Sequence, residues 1–176
     1  MIEPWKLLKQ ETIFKRYAMH LQKRDYRLPS GKEDEFYIRV SPDGVMVLGI
    51  TEDNQVITVK QYRPGPNKIF YELPGGMIDE GEEPLTAAIR EFREETGYEG
   101  KAEYVGEWYE DAYTDRTRHC VVAKHCKEVA EQVLEDTEFA EVVLMDLPEF
   151  IKIARSGQLT DTAGAMLGLD YLGLLK

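Results

Sequence analysis

Hydrophobic and polar positions in this chain alternate with period two in some stretches and recur with helical spacing in others, and Pro or Gly separates the two patterns. Residues 12 to 27 and 35 to 40 are rich in β-formers and flank Leu28-Pro29-Ser30-Gly31-Lys32, which predicts an N-terminal β-hairpin. After the turn signal Ser41-Pro42-Asp43-Gly44, the unbroken apolar run Val45-Met46-Val47-Leu48-Gly49-Ile50 predicts a buried strand where the core begins. Glu52-Asp53-Asn54 turns the chain into the β-branched, alternating segment Gln55 to Arg63. Ile69 to Leu73 reads as a short strand that Pro74-Gly75-Gly76 breaks. Further strands are expected at Ala102 to Tyr109, Thr117 to Lys124 and Glu141 to Met145.

Helical spacing is clearest from Pro84 to Thr96, a run of helix formers with Pro in the first turn and Gly97 just beyond the end. Leu85, Ala88, Ile89 and Phe92 fall at i, i+3, i+4 and i+7 and predict a stripe facing the core. Two more helices are expected, from Leu147 to Ser156 with Gly157 behind it, and from Thr162 to Leu174 with Asp161 as N-cap. Strands and helices mix without regular βαβ alternation, which favours an α/β sandwich over a doubly wound sheet. At 176 residues the chain suits one main domain with a small appended element. The division expected is an N-terminal β-hairpin over residues 1–40 and the main domain over 41–176.

Composition narrows the chemistry. An apolar share of 43% and a charged share of 31% are those of a globular protein. A net charge of −11 repels a phosphate backbone, so no nucleic-acid polymer is expected as partner, and a small anionic substrate needs a local device such as a divalent cation. No stretch approaches the roughly 20 apolar residues of a membrane span, and no apolar run of signal-peptide length follows Met1. With only Cys120 and Cys126 as thiols, the expected location is the cytoplasm. His119-Cys120 and His125-Cys126 have no zinc-site spacing and are read as core or surface residues.

On the predicted helix, Glu91, Glu94 and Glu95 stack at i, i+3 and i+4. Three glutamates alone would describe a solvated face, because like charges at this spacing cost a helix only about 0.2–0.5 kcal/mol per pair. Their surroundings change that reading. Gly76, five residues, Glu82, seven residues and then Arg90-Glu91-Phe92-Arg93-Glu94-Glu95-Thr96-Gly97-Tyr98 match the Nudix box at all seven of its fixed residues. At ordinary residue frequencies such a match arises by chance less often than about once in ten million start positions.

The chain is therefore similar to Nudix hydrolases. The resemblance implies a Nudix α/β/α sandwich with a mixed sheet, a loop-helix-loop motif, and metal-assisted attack of water on a diphosphate. By position, Glu91, Glu95 and Glu94 look like metal ligands together with the Gly75 carbonyl, and Mg²⁺, with Mn²⁺ as substitute, is the hard cation such oxygens select. Glu82 and Arg90 correspond to an ion pair that ties loop to helix. Outside the box, Val59-Lys60-Gln61-Tyr62-Arg63-Pro64 and Tyr71-Glu72-Leu73-Pro74-Gly75-Gly76 resemble the ADP-ribose and nucleotide-sugar pyrophosphatase branch. There the arginine matching Arg63 contacts substrate and Glu72 lies close to the site.

That branch draws its base from an acidic loop after the box, here Leu134-Glu135-Asp136-Thr137-Glu138-Phe139, where Glu138 matches best and Glu135 and Asp136 compete. Its N-terminal element makes a homodimer and supplies an aromatic that stacks on adenine, a place that Phe36 or Tyr37 would take. One departure stands out. The proline usual about fifteen residues past the box is replaced by Glu110-Asp111-Ala112-Tyr113-Thr114-Asp115, and a tyrosine such as Tyr113 is seen there in dinucleoside polyphosphate hydrolases. The expected reaction is hydrolysis of ADP-ribose or a related nucleoside-diphosphate sugar. The alternatives are a dinucleoside polyphosphate hydrolase and a non-catalytic nucleotide-binding Nudix module.

Overall fold

The computed structural model describes residues 2–134 and 139–175. Two compact units are present: residues Met1–Asp43 with Tyr109–Thr117, and Gly44–Trp108 with Arg118–Lys176.

The first unit carries β1 (Lys6–Arg16), β2 (Met19–Arg27) and β3 (Glu33–Val40) as an antiparallel sheet in the order β1-β2-β3. The hairpin expected around Leu28 to Lys32 joins β2 to β3, closed by Leu28 N–H donating to the Lys32 carbonyl. Residues 12 to 27, read from sequence as one strand, are instead divided between β1 and β2. Arg16 pairs with Met19 across a tight turn in which Tyr17 takes a left-handed φ of 51°. No Gly, Pro or Asn marks this turn, so the pattern of β-formers runs through it without a break. Each residue of β1 is exposed, Leu7, Leu8, Ile13 and Phe14 included.

The second unit is built on a mixed sheet ordered β6-β5-β4-β8-β7, with β9 on the other edge of β5. Its strands are β4 (Gly44–Thr51), β5 (Gln55–Arg63), β6 (Lys68–Glu72), β7 (Tyr98–Tyr109), β8 (Thr117–Glu128) and β9 (Ala140–Asp146). β7 begins earlier and β8 ends later than their apolar patterns suggest, because ladder pairing carries polar residues along. β4 runs parallel to β8 with both faces buried, as its unbroken apolar run requires.

Period-two alternation then assigns the faces. Met46, Leu48, Cys120 and Val122 pack under α2 (Leu147–Ser156) and α3 (Thr162–Tyr171), which bring Phe150, Ala154, Ala165 and Leu169. Val45, Val47, Val121 and Ala123 pack under α1 (Pro84–Thr96), which brings Ala87, Ala88 and Phe92. The result is the α/β/α sandwich.

Two helix details differ from the sequence reading. Ile89 is 46% exposed, and the buried line of α1 is Ala87, Ala88, Phe92 and Thr96. The Phe92 ring fills the space above Gly49, where a Cβ would stand 2.5 Å from it, and this central anchor leaves Ile89 on the flank. α3 ends at Tyr171, short of Leu174, and the Asp161 carboxylate makes no cap bond because it pairs with Arg118 at 2.8 Å. Gly97 and Gly157 close α1 and α2 in the left-handed conformation, as their positions predict.

Candidate active site

The break after β6 is stitched across β4. Val47 N–H donates to the Pro74 carbonyl and Val45 N–H to the Gly76 carbonyl, each at 2.9 Å. Gly75 stands at φ +154° with the Val45 carbonyl 2.2 Å from where a Cβ would be, so only glycine fits this crossing. A Cβ on Gly76 would lie 2.4 Å from the Glu91 carboxylate. One turn further along α1, Glu95 Oε2 accepts the Gly75 N–H at 2.8 Å. Two box glutamates are thus held against the two glycines that precede the loop.

Arg90 is the hub on the other side of α1. Its Nε and Nη2 donate to the two oxygens of Glu82 at 3.0 and 2.8 Å, a fork-on-fork pair. Nη1 reaches Glu91 Oε1 at 2.8 Å and Glu94 Oε2 at 3.3 Å, and Nη2 reaches the Met77 carbonyl at 3.4 Å. Glu82 also accepts the Asp79 N–H at 3.2 Å, so this one ion pair ties loop to helix. The Glu82 carboxylate, above all, raises the Arg90 pKa, and Arg90 in turn holds Glu82 below the usual carboxylate range. Arg90 offsets the like-charge repulsion along α1.

A second charged group faces the same side of the sheet as α1. Glu72 is 1% exposed, its Oε2 accepts Arg63 Nε and Gln61 Nε2, each at 2.8 Å, and Arg63 Nη2 forms an ion pair with the same oxygen at 2.6 Å. Burial works to lower the Arg63 pKa, but the charges of Glu72, Glu95 and Asp161 outweigh it and raise it, so Arg63 lies within electrostatic reach of the helix glutamate. Asp161 brings with it Arg118, whose guanidinium lies 5.9 Å over the Trp108 ring. Sequence reading missed Arg118 and Trp108 and took Asp161 for a cap, because nothing local signals a pair 43 residues apart.

The C-terminal end of α1 is capped by the next loop. Val133 N–H donates to the Glu94 carbonyl at 2.8 Å, Gln132 Nε2 to the Glu95 carbonyl at 2.6 Å, and Val129 N–H to the Gly97 carbonyl at 2.9 Å. Gln132 carries no sequence signal for this role. The chain then enters Glu135, Asp136 and Glu138, which lie outside the described residues.

In the first unit, Phe36 joins Trp5 and Tyr26 in an aromatic cluster, with ring centroids 5.1 to 6.1 Å apart. These rings, with Ala112 and Tyr113, line a cavity of about 480 Å³. Tyr37 alternates to the opposite face of β3 and hydrogen-bonds Glu35. Of the histidines and cysteines, Cys120 and Cys126 are buried free thiols on opposite faces of the sheet, and His125 is exposed. Burial pushes the two thiols up to about 12 and about 11.

Among the described residues no three acidic, histidine or cysteine side chains converge into a ready-made cation cage. Arg90 takes oxygens of Glu91 and Glu94, and Gly75 takes one of Glu95. The donor set nevertheless fits a hard divalent ion: three carboxylates on neighbouring turns of one helix, with Glu91 where a Cβ on Gly76 would stand and Glu95 on the Gly75 N–H.

Comparison with known proteins identifies the family. The family model described as the NUDIX domain matches residues 40–162. The chain is 31% identical to the ADP-ribose pyrophosphatase of Bacillus subtilis (strain 168), over 96% of this chain and 92% of the relative. It is also 31% identical to the methanol dehydrogenase activator of Bacillus methanolicus, over the same shares. An ADP-ribose pyrophosphatase of Saccharomyces cerevisiae is 32% identical over 80% of this chain and 71% of the relative. The crystal structure of an ADP compounds hydrolase superposes with a TM-score of 0.80 at 18% identity, covering 99% of both chains, which speaks for the fold. Nudix hydrolases are generally dependent on a divalent metal. The chain belongs to the Nudix hydrolase family, in the branch of the ADP-ribose and nucleotide-sugar pyrophosphatases.

Proposed function

We propose that this enzyme hydrolyses the diphosphate of ADP-ribose or a related nucleoside-diphosphate sugar, with Mg²⁺ as its cation and Mn²⁺ as a working substitute. The observation that carries the reading is Arg63, a guanidinium anchored on buried Glu72 and within electrostatic reach of Glu95 on the metal-binding helix. Glu91, Glu95 and Glu94 would hold the cation with the Gly75 carbonyl. When bound, the cation offsets the diphosphate charge and makes a water more acidic.

The protein's own groups do the rest. Arg63 orients a phosphate oxygen with the N–H groups that Glu72 leaves over, and the Arg90–Glu82 pair keeps loop and helix in register. Glu138, by resemblance to the branch, takes the proton of the attacking water, with Glu135 and Asp136 as neighbours able to compete. Water adds to phosphorus, the bridging P–O bond breaks, and the products are a nucleoside monophosphate and a sugar phosphate.

Phe36 and Tyr113, which line one aromatic cavity, suit a nucleobase, and Tyr37 would serve a partner subunit from the other face of the strand. The fully exposed β1, with Leu7, Leu8, Ile13 and Phe14 open to solvent, supports a homodimer formed through residues 1–40, with 41–176 as the catalytic Nudix domain. Two buried free thiols fit a cytoplasmic enzyme, and among the described residues no helix is long and apolar enough to cross a membrane.

A substrate panel with Mg²⁺ or Mn²⁺ tests the reading: ADP-ribose, other nucleotide sugars, dinucleoside polyphosphates and nucleoside triphosphates. AMP and ribose 5-phosphate released from ADP-ribose are the expected products. Preference for triphosphates refutes the branch substrate, and preference for dinucleoside polyphosphates selects the second reading, which Tyr113 favours. Phe14→Asp is expected to halve the mass measured by light scattering, and an unchanged mass refutes the dimer surface.

A further inference from the structure

Glu72 is a buried carboxylate used from one side only. Its Oε2 accepts two hydrogen bonds, from Gln61 Nε2 and from Arg63 Nε, and Arg63 Nη2 stands 2.6 Å from it as an ion pair. Its Oε1 is buried and has no hydrogen-bond partner among the described residues. A buried acceptor left unpaired destabilises the fold, so packing alone gives no reason for a glutamate here.

Position supplies the reason. Ile57 packs under α1, and alternation along β5 places Val59, Gln61 and Arg63 on that same face, with Glu72 paired to Val59 across the ladder. The carboxylate is therefore the inner end of a polar chain whose outer end, Arg63, is 47% exposed beside the catalytic helix. A guanidinium has five N–H donors: that on Nε of Arg63 is given to Glu72 Oε2, and Nη2 stands 2.6 Å from the same oxygen. Donors on Nη1 and Nη2 remain for a ligand, in a plane set by a buried carboxylate.

We infer that Glu72 is a positioning residue and not a substrate contact: it locks the Arg63 guanidinium and absorbs part of its charge, so that Arg63 serves the transition state more than the bound substrate. The inference rests on the proposed role of Arg63 as a phosphate contact. Freed from Glu72, Arg63 presents more charge and more donors to the diphosphate but in no fixed plane. Ground-state binding then tightens while orientation is lost, which separates KM from kcat.

The test uses the full chain and the variants Glu72→Gln, Arg63→Ala and the double variant, with ADP-ribose turnover, metal-free ADP titration and melting temperature as readouts. In Glu72→Gln, kcat is expected to fall about tenfold with KM equal or lower, and ADP is expected to bind more tightly. In the Arg63→Ala background the same change should cost no further turnover. The double variant should melt higher than Arg63→Ala, because losing the arginine alone strands the buried charge.

Arg63→Lys, which keeps the charge but not the fork, should lower kcat at similar KM and gives a second route if Glu72→Gln folds poorly. A raised KM with intact kcat, weaker ADP binding, or losses that multiply across the two sites would each overturn the inference. A wild type inactive on every nucleotide sugar refutes the proposed reaction, while ADP binding and melting still decide the Arg63–Glu72 coupling.

Discussion

Gly76→Ala is the sharpest single perturbation of the box, because it adds one carbon in front of Glu91, a carboxylate proposed to hold the cation. Gly76 is not among the residues with positive φ, so alanine meets no backbone obstacle. The obstacle is steric: the new Cβ would stand 2.4 Å from Glu91, where ordinary contact begins at 3.4 Å. The carboxylate must retreat by the difference, about 1 Å, while Arg90 Nη1 pulls on Glu91 Oε1 from 2.8 Å. A displacement of about 1 Å in a reacting constellation costs about a hundredfold in rate, or about 2.7 kcal/mol of transition-state stabilisation.

Folding should hardly notice, since the group that yields is the far end of a flexible side chain. The assay is kcat on ADP-ribose across a Mg²⁺ titration, beside a melting curve. Expected are about a hundredfold lower kcat, a higher Mg²⁺ requirement and a melting temperature within about 3 °C of wild type. Gly65→Ala, with nothing within 4 Å of its Cβ, is the control and should be silent. Activity of Gly76→Ala within about threefold of wild type would refute the seating of Glu91 against the loop.

Gln132→Ala removes the side-chain donor to the Glu95 carbonyl and should lower kcat about three- to tenfold with little change in KM; a KM effect alone would place Gln132 at the substrate instead. Glu82→Gln should lower the melting temperature by about 2–4 °C at neutral pH. Because Arg90 depresses the folded-state pKa of Glu82, its stabilisation is complete above the unfolded value and is lost as pH falls through the folded one. The wild type and Glu82→Gln melting curves should therefore converge in acid, and a gap that widened as pH fell would contradict the pairing. Cys120 and Cys126, with pKa values pushed up to about 12 and about 11 by burial, should resist a thiol reagent at pH 8 until the chain is unfolded; labelling of the native protein would refute their burial.

What could be read from the sequence was local. The turn at Pro74-Gly75-Gly76, the helix from Pro84 to Thr96 and its stop at Gly97 each depend on residues a few positions apart, where backbone freedom and 3.6-residue spacing decide the outcome. The box with its three glutamates was equally legible, since helix spacing alone brings Glu91, Glu94 and Glu95 to one patch. The turn at Tyr17 was illegible because ladder pairing imposes it against local preference.

Tertiary structure decided which charges meet. Packing against Gly49 turned α1 so that Ile89 faces out and Glu91 meets Gly76. Sheet register put Arg63 on Glu72, and the fold gave Asp161 to Arg118 instead of to its own helix. An ion pair forms between residues that the chain path brings together, and side-chain type does not encode that path; spacing along one helix brought Glu91, Glu94 and Glu95 together in advance, while the partners that aim Arg63 emerged only from folding.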